Sequence, residues 1–272
     1  MISRRKLLLG SVLPVTAGYA SFVEPVVLRS REMKLIIPSL PSKLDGLKVA
    51  QLTDFHYHPY EKGFIERAVR KAMDWQPDLI VLTGDFIDKS ENNLEALLEV
   101  LAPLQAQYGV YAVLGNHDHY HLSVDECSQI FARTKIKLLV NEVERVAGIE
   151  LIGLDSVYSS IPDYALPVGT RASDTLRIVL SHEPDTFDDV RAAYMPHLQL
   201  SGHTHGGQCR VPLFGYAPFT PLYGKVYRDG LFQKEQSQLF VSSGLGTSVV
   251  RMRFACLPEV ALLTLRTLEE GS

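Results

Sequence analysis

The chain has 272 residues, 46% of them hydrophobic, enough to bury a substantial core. Its formal net charge of −4 is uneven: residues 1–34 carry six basic and two acidic side chains, and the remainder is acidic by −8. An acidic body lacks the phosphate-neutralising surface that duplex nucleic acid requires, so no nucleic-acid partner is expected. Three scattered cysteines (Cys127, Cys209, Cys256) with no CxxC pair argue against a disulfide framework or a thiolate metal site.

The N-terminus begins Ser3-Arg4-Arg5-Lys6 and continues into an apolar run to about Val23, with small residues near Ala17–Ser21. A basic start followed by an apolar middle is the layout of an export signal, and the paired arginines resemble a twin-arginine signal. Residues 1–23 are therefore expected to be a signal peptide or a membrane anchor. That would place the protein at a membrane, either anchored there or exported from a bacterial cell. Pro25, Pro38 and Pro41 mark residues 24–46 as an extended connector before a body over 47–268.

Residues 47–53 read as a strand that runs into Asp54-Phe55-His56. Residues 64–75 have helical apolar spacing, 79–83 form an apolar run of strand length, and 94–104 are again helical. A short strand over 110–114 ends at Gly115, and a helix is expected over 124–133. This alternation predicts a mainly parallel sheet. The second half is richer in strands, over 137–140, 144–146, 150–154, 176–181, 198–201, 239–242 and 258–265, with one helix near 186–194. Two packed sheets with helices outside are expected.

Seven side chains able to bind a metal stand where apolar runs end: Asp54 and His56, Asp85, Asn116, His182, and His203 with His205. Ligands collect at the carboxyl ends of strands in open α/β sheets. Nitrogen and oxygen donors without thiolates suit two hard or borderline divalent cations. The segment Gly202-His203-Thr204-His205-Gly206-Gly207 is the most specific piece, since two imidazoles at i and i+2 framed by glycines make a poor core segment. Gly115-Asn116-His117-Asp118 adds an uncommon carboxamide donor and a neighbouring histidine free for chemistry. Asp54-Phe55-His56, Gly84-Asp85 and His182 are each weak alone.

In this order, the motifs resemble the calcineurin-like metallophosphoesterase family over roughly residues 47–265. The resemblance implies a four-layered αββα sandwich of two mixed sheets, with a dinuclear metal site at the strand ends. It implies that Asp54, His56, Asp85 and His205 hold one cation. Asp85, Asn116, His182 and His203 would hold the other. It gives His117 contact with the phosphate and leaving oxygen, and Asp88 the task of orienting His117. Manganese is the expected metal, with iron, zinc or cobalt compatible with the same donors. Water is then the nucleophile, with no phosphoenzyme.

The stretch 202–213, with Arg253 and Pro258-Glu259-Val260, is similar to a membrane-associated bacterial phosphodiesterase branch that includes UDP-2,3-diacylglucosamine pyrophosphatases. The more widespread pyrophosphatase group has arginine where this chain has His117. The implied substrate is a phosphodiester or pyrophosphate, lipid-linked and met at a membrane surface, with no obligate protein partner evident. A cell-wall-associated phosphoesterase and a non-catalytic envelope binding protein are the rival expectations. Residues 211–223 are apolar and aromatic but broken by proline. They read as a lip for acyl chains, carried by Phe214 and Phe219, or as a loop that packs over the core. Arg210, Arg251 and Arg253 are either contacts for a second phosphate or solvated surface arginines.

Overall fold

A computed structural model describes residues 15–88, 94–158, 162–169, 174–211, 217–218 and 220–268. Among the described residues, twelve strands form two six-stranded sheets. The first sheet contains β1 (Arg29–Ile36), β2 (Lys48–Leu52), β3 (Leu79–Thr83), β4 (Val110–Val113), β5 (Ile136–Leu138) and β12 (Glu259–Arg266), in the order β1-β12-β2-β3-β4-β5. The second contains β6 (Glu142–Val146), β7 (Ile149–Gly153), β8 (Leu176–Leu180), β9 (Leu198–Ser201), β10 (Gly230–Lys234) and β11 (Ser237–Val241), in the order β10-β11-β9-β8-β7-β6. Both are mixed: β12 pairs antiparallel with β2, and β6 and β10 pair antiparallel with their neighbours.

The apolar runs alternate faces within each strand. In β3, Leu79 and Val81 point between the sheets while Ile80 and Leu82 point outward. The inner set meets Ile149, Leu151, Ile178, Leu198 and Phe240 of the second sheet. The outer set is covered by α1 (Lys62–Asp74), α2 (Leu94–Leu101) and α4 (Val124–Phe131), which contribute Ile65, Leu97 and Phe131. On the far side α5 (Phe187–Tyr194) packs Val190 and Tyr194 against Ile152 and Val179. The result is the expected αββα layering. Strands buried on both faces read as unbroken apolar runs, which is why their positions were legible.

Some elements go beyond expectation. Residues 24–46, expected as an extended connector, contain β1, which pairs with β12 over all eight of its residues. Arg31 meets Asp229 at 2.8 Å and Glu259 at 3.4 Å, and Arg29 also meets Glu259, so a polar strand gains its place through charge and ladder bonds. The strand β10 was also missed. Its pattern of largely exposed residues gives no apolar signal.

Residues 15–22 are helical. The carbonyl of Ala20, a buried residue, accepts a bond of 2.9 Å from the Arg253 backbone N–H. Val15, Tyr19, Phe22 and Val23 are exposed. Among the described residues, no helix is long and apolar enough to cross a membrane. The paired arginines Arg4 and Arg5 lie outside the described residues, as do Phe214 and Phe219.

Candidate metal centre

Between the sheets the packing becomes polar toward one end. There Gln51 donates to Thr83 Oγ1 at 2.8 Å and to the Ser201 carbonyl at 3.0 Å, joining β2, β3 and β9. The loops leaving β2 and β3 then run side by side, with backbone bonds from Asp54 to Gly84 and from His56 to Asp85, each 3.0 Å. Five of the seven expected donors have positive φ: Asp54 (52°), His56 (40°), Asp85 (52°), His203 (70°) and His205 (49°). Left-handed backbone at so many non-glycine residues stores strain that the surrounding structure must hold. Gly84 permits the closeness, because a Cβ there would stand 2.6 Å from the Gly115 nitrogen and 2.7 Å from His182 Nδ1.

All seven donors converge. Asp54, His56, Asp85 and His205 offer ligand atoms lying within 4.8 Å of one another, and so do Asp85, His182 and His203. Asn116 joins the second group, its Oδ1 2.9 Å from Nδ1 of His203. A backbone bond of 2.8 Å from His203 to Asp54 Oδ1 ties the two sheets together across the centre.

The outer bonds of the rings fix which nitrogen faces inward. Nδ1 of His182 donates to the Thr83 carbonyl at 2.7 Å, so its Nε2 lone pair faces Asp85 Oδ2 at 3.2 Å. Nε2 of His203 donates to the Leu222 carbonyl at 2.7 Å, so its Nδ1 lone pair faces the Asn116 oxygen. Nδ1 of His56 meets Asp88 Oδ1 at 3.2 Å, so its Nε2 faces Asp85 Oδ2 at 3.3 Å and His205 Nε2 at 2.9 Å. Oδ2 of Asp54 and Nε2 of His182 have no hydrogen-bond partner although both are buried.

Acceptors facing acceptors in a buried site repel unless positive charge lies between them. The titration behaviour follows from this. Burial pushes His56 down, but its bonds to Asp85 and Asp88 raise it to about 10. His182 is also buried, yet Asp85 lifts it well above the ordinary value. Burial and the charge on His182 lower His203 to about 3, and burial and His56 lower His205. Raised values at His56 and His182 beside lowered ones at His203 and His205 are what facing donors give when no cation lies between them. The donor set fits a dinuclear site, with Asp85 common to both halves.

Beside it, Asp88 Oδ1 lies 3.1 Å from Nδ1 of His117 as well as near His56. Burial acts to raise Asp88, but His117 and His56 outweigh it and hold the carboxyl well below the usual range. Sequence reasoning missed Asp118. Its Oδ1 accepts from the backbone of Phe86 at 2.8 Å and Ile87 at 3.2 Å, and its Oδ2 from Gly115 at 2.8 Å. It joins the loop after β3 to the helix α3 (Asn116–His121). The signal was present, since a carboxylate three residues beyond a helix-opening glycine reaches back to its N–H.

The three arginines are all engaged within the protein, Arg253 from a buried position and Arg210 and Arg251 from half-buried ones. Arg253 is fully buried and donates to the carbonyls of Ser243, Gly244, Gly246 and Cys256. Arg210 pairs with Asp229 at 2.7 Å, and Arg251 donates to the Ser21 carbonyl at 3.1 Å beside Glu61.

The calcineurin-like phosphoesterase model matches residues 47–207, more than half of the chain and all seven donors. The chain belongs to the calcineurin-like phosphoesterase family. Its relatives include the uncharacterized metallophosphoesterase YkuE of Bacillus subtilis, 31% identical over 98% of each chain. The phosphodiesterase YaeI of Escherichia coli is 30% identical over 97% of this chain and 100% of its own. The UDP-2,3-diacylglucosamine pyrophosphatase LpxG of Chlamydia trachomatis is 27% identical over 92% of each. The metallophosphoesterase is thus a metal-dependent phosphoester hydrolase with a dinuclear divalent centre.

Proposed function

We propose that this metallophosphoesterase hydrolyses a phosphodiester or pyrophosphate bond of a lipid-linked substrate, with a nucleotide-linked glycolipid such as UDP-2,3-diacylglucosamine as the preferred candidate. The observation that carries the reaction class is the convergence of His56 and His182 on Asp85, with the inward nitrogen of His203 beside them against Asn116. In this proposal Asp54, His56, Asp85 and His205 hold one cation, and Asp85, Asn116, His182 and His203 the other, with manganese the expected ion. The cations supply Lewis acidity and an acidified water. His117 faces the cleft with Nε2 and gives a proton to the leaving oxygen. Asp88 holds its other nitrogen and keeps the ring aimed.

The substrate class is supported by the cleft of about 380 Å³ over the centre. Tyr120, Tyr158, Pro221, Val249 and Val250 share its lining with the polar donors. Leu222 and Tyr223, at the end of the suspected lip, are exposed, and the Leu222 carbonyl already touches His203. An apolar rim around a charged floor suits a phosphate with an apolar neighbour. The relative named as a diacylglucosamine pyrophosphatase supports the same choice. Because Arg210, Arg251 and Arg253 are committed elsewhere, a second phosphate would have to be met by other groups. The basic and apolar N-terminus, with Val15, Tyr19 and Phe22 exposed, supports a place at a membrane surface, by anchor or by export.

The test is product analysis with UDP-2,3-diacylglucosamine and with bis-p-nitrophenyl phosphate under defined Mn²⁺. Both should be hydrolysed. His117→Ala should lower kcat by about 10²–10⁴ while keeping its metal. Turnover of the small diester with none of the glycolipid would refute the substrate, and full activity in His117→Ala would refute the mechanism.

A further inference from the structure

The loop 245–250 forms one wall of the cleft and is pinned from two directions. Backbone bonds run from Leu245 to Thr53 at 3.0 Å and from Gly246 to Asp54 at 2.6 Å, so the loop starts on a metal-donor segment. Its far half is held by Gln208, three residues after His205. Gln208 is buried and has positive φ (49°), a costly conformation for a residue with a side chain. Its Oε1 accepts from the Ser248 N–H at 2.9 Å, and its Nε2 donates to the carbonyls of Ser248 at 3.0 Å and Val250 at 3.1 Å. Both backbone groups of Ser248 are therefore consumed. What remains is the hydroxyl, and it lies 3.4 Å from Nε2 of His117, inside the cleft.

We infer that Ser248 is a further catalytic residue, whose hydroxyl hydrogen-bonds the leaving oxygen alongside His117. The inference rests on the proposed role of His117. A serine hydroxyl can accept from an imidazole N–H and donate to an oxygen at the same time. The space between Ser248 Oγ and His117 Nε2 is the place from which both reach one oxygen atom. As the phosphorus–oxygen bond to the leaving group breaks, its electron pair stays on that oxygen. The proton comes from His117, while Ser248 keeps its own proton and stabilises the developing charge. The poorer the leaving group, the more charge that hydrogen bond meets. Val249, 91% exposed with φ 64°, follows directly and lines the same cleft.

The experiment measures kcat and KM for Ser248→Thr and Ser248→Val, two variants of similar volume, on aryl phosphodiesters with leaving-group pKa values from p-nitrophenol up to phenol. His117→Ala and the bound metal per chain are measured in parallel. Ser248→Thr should stay within about threefold of wild type. Ser248→Val should lose about tenfold in kcat on the phenol ester and clearly less on the p-nitrophenol ester, with KM and metal content unchanged. Equal activity of Thr and Val variants, or a Val loss that is uniform across the series, overturns the inference even if His117→Ala is inactive. If His117→Ala retains activity, the underlying reading of the site fails instead.

Discussion

Nε2 of His56 and Nε2 of His205 stand 2.9 Å apart, although the two residues are 149 positions apart in the chain. Two neutral imidazoles cannot both point lone pairs at one spot without a proton or a cation between them. Burial pushes His56 down, but its bonds to Asp85 and Asp88 lift it to about 10, so without metal His56 is the ring of the two that holds a proton more tightly. Below that pH a cation must displace it. Metal binding should therefore release protons, and apparent affinity should rise with pH by about tenfold per unit for each proton released. Calorimetry of Mn²⁺ binding in buffers of different ionisation enthalpy reads this directly. A binding constant flat between pH 6 and pH 8 would show that the imidazole nitrogens are not donors.

Asp54 is buried, and its Oδ2 has no hydrogen-bond partner. Burial raises its pKa, and Asp85 raises it further against the pull of His182 and His56. In the absence of metal this carboxylate is a cost. Asp54→Asn should leave the metal-free protein as stable as wild type or more so, by about 1–3 kcal/mol, because Oδ1 can still accept from His203. With Mn²⁺ present the order should reverse. Thermal melts with and without EDTA test the crossing, and a variant that is less stable in both conditions would contradict it.

Gly202 sits where β9 enters the metal loop. A Cβ there would clash with Thr53 Oγ1 and lie 2.5 Å from Asp54 Oδ2. Gly202→Ala should cost about 1–3 kcal/mol and also reduce bound metal, since the strain falls on a donor. Elemental analysis alongside denaturation separates the two effects. Wild-type metal content in the alanine variant would place the clash elsewhere.

Arg253 fastens the loop that backs Asp54 by donating to four carbonyls from a fully buried position. Its role is structural despite its charge. Arg253→Lys should still lose about 3 kcal/mol, because an ammonium cannot span the same fork of acceptors. Urea denaturation measures this. If the lysine variant matches wild type in stability but loses substrate affinity, Arg253 belongs to the substrate site after all.

The legible part of this molecule was the part set by apolar pattern and by donor chemistry. Residues 79–83 and 176–180 are buried on both faces and announced themselves as strands, and the donor clusters followed at their ends. Strand β1 could not be read in this way, since half of Arg29–Ile36 is charged and the strand owes its position to β12, which lies more than 200 residues later. The site's inner donors were visible as residue types. Its supports were harder to see: Gln208 and Arg253 act on backbone groups brought close only by the fold, and of the bonds to Asp118 only the one from Gly115 is local. The arginines show the same limit, because a guanidinium reads as a phosphate contact or a surface charge until its carbonyl partners are known.

In the proposed centre, seven donors from two sheets hold two cations with Asp85 common to both. The most direct measurement is anomalous diffraction from crystals grown with Mn²⁺. Two manganese peaks about 3.5–4 Å apart, both beside the Asp85 carboxylate, are expected. A single peak, or a pair that Asp85 does not touch, would contradict the account.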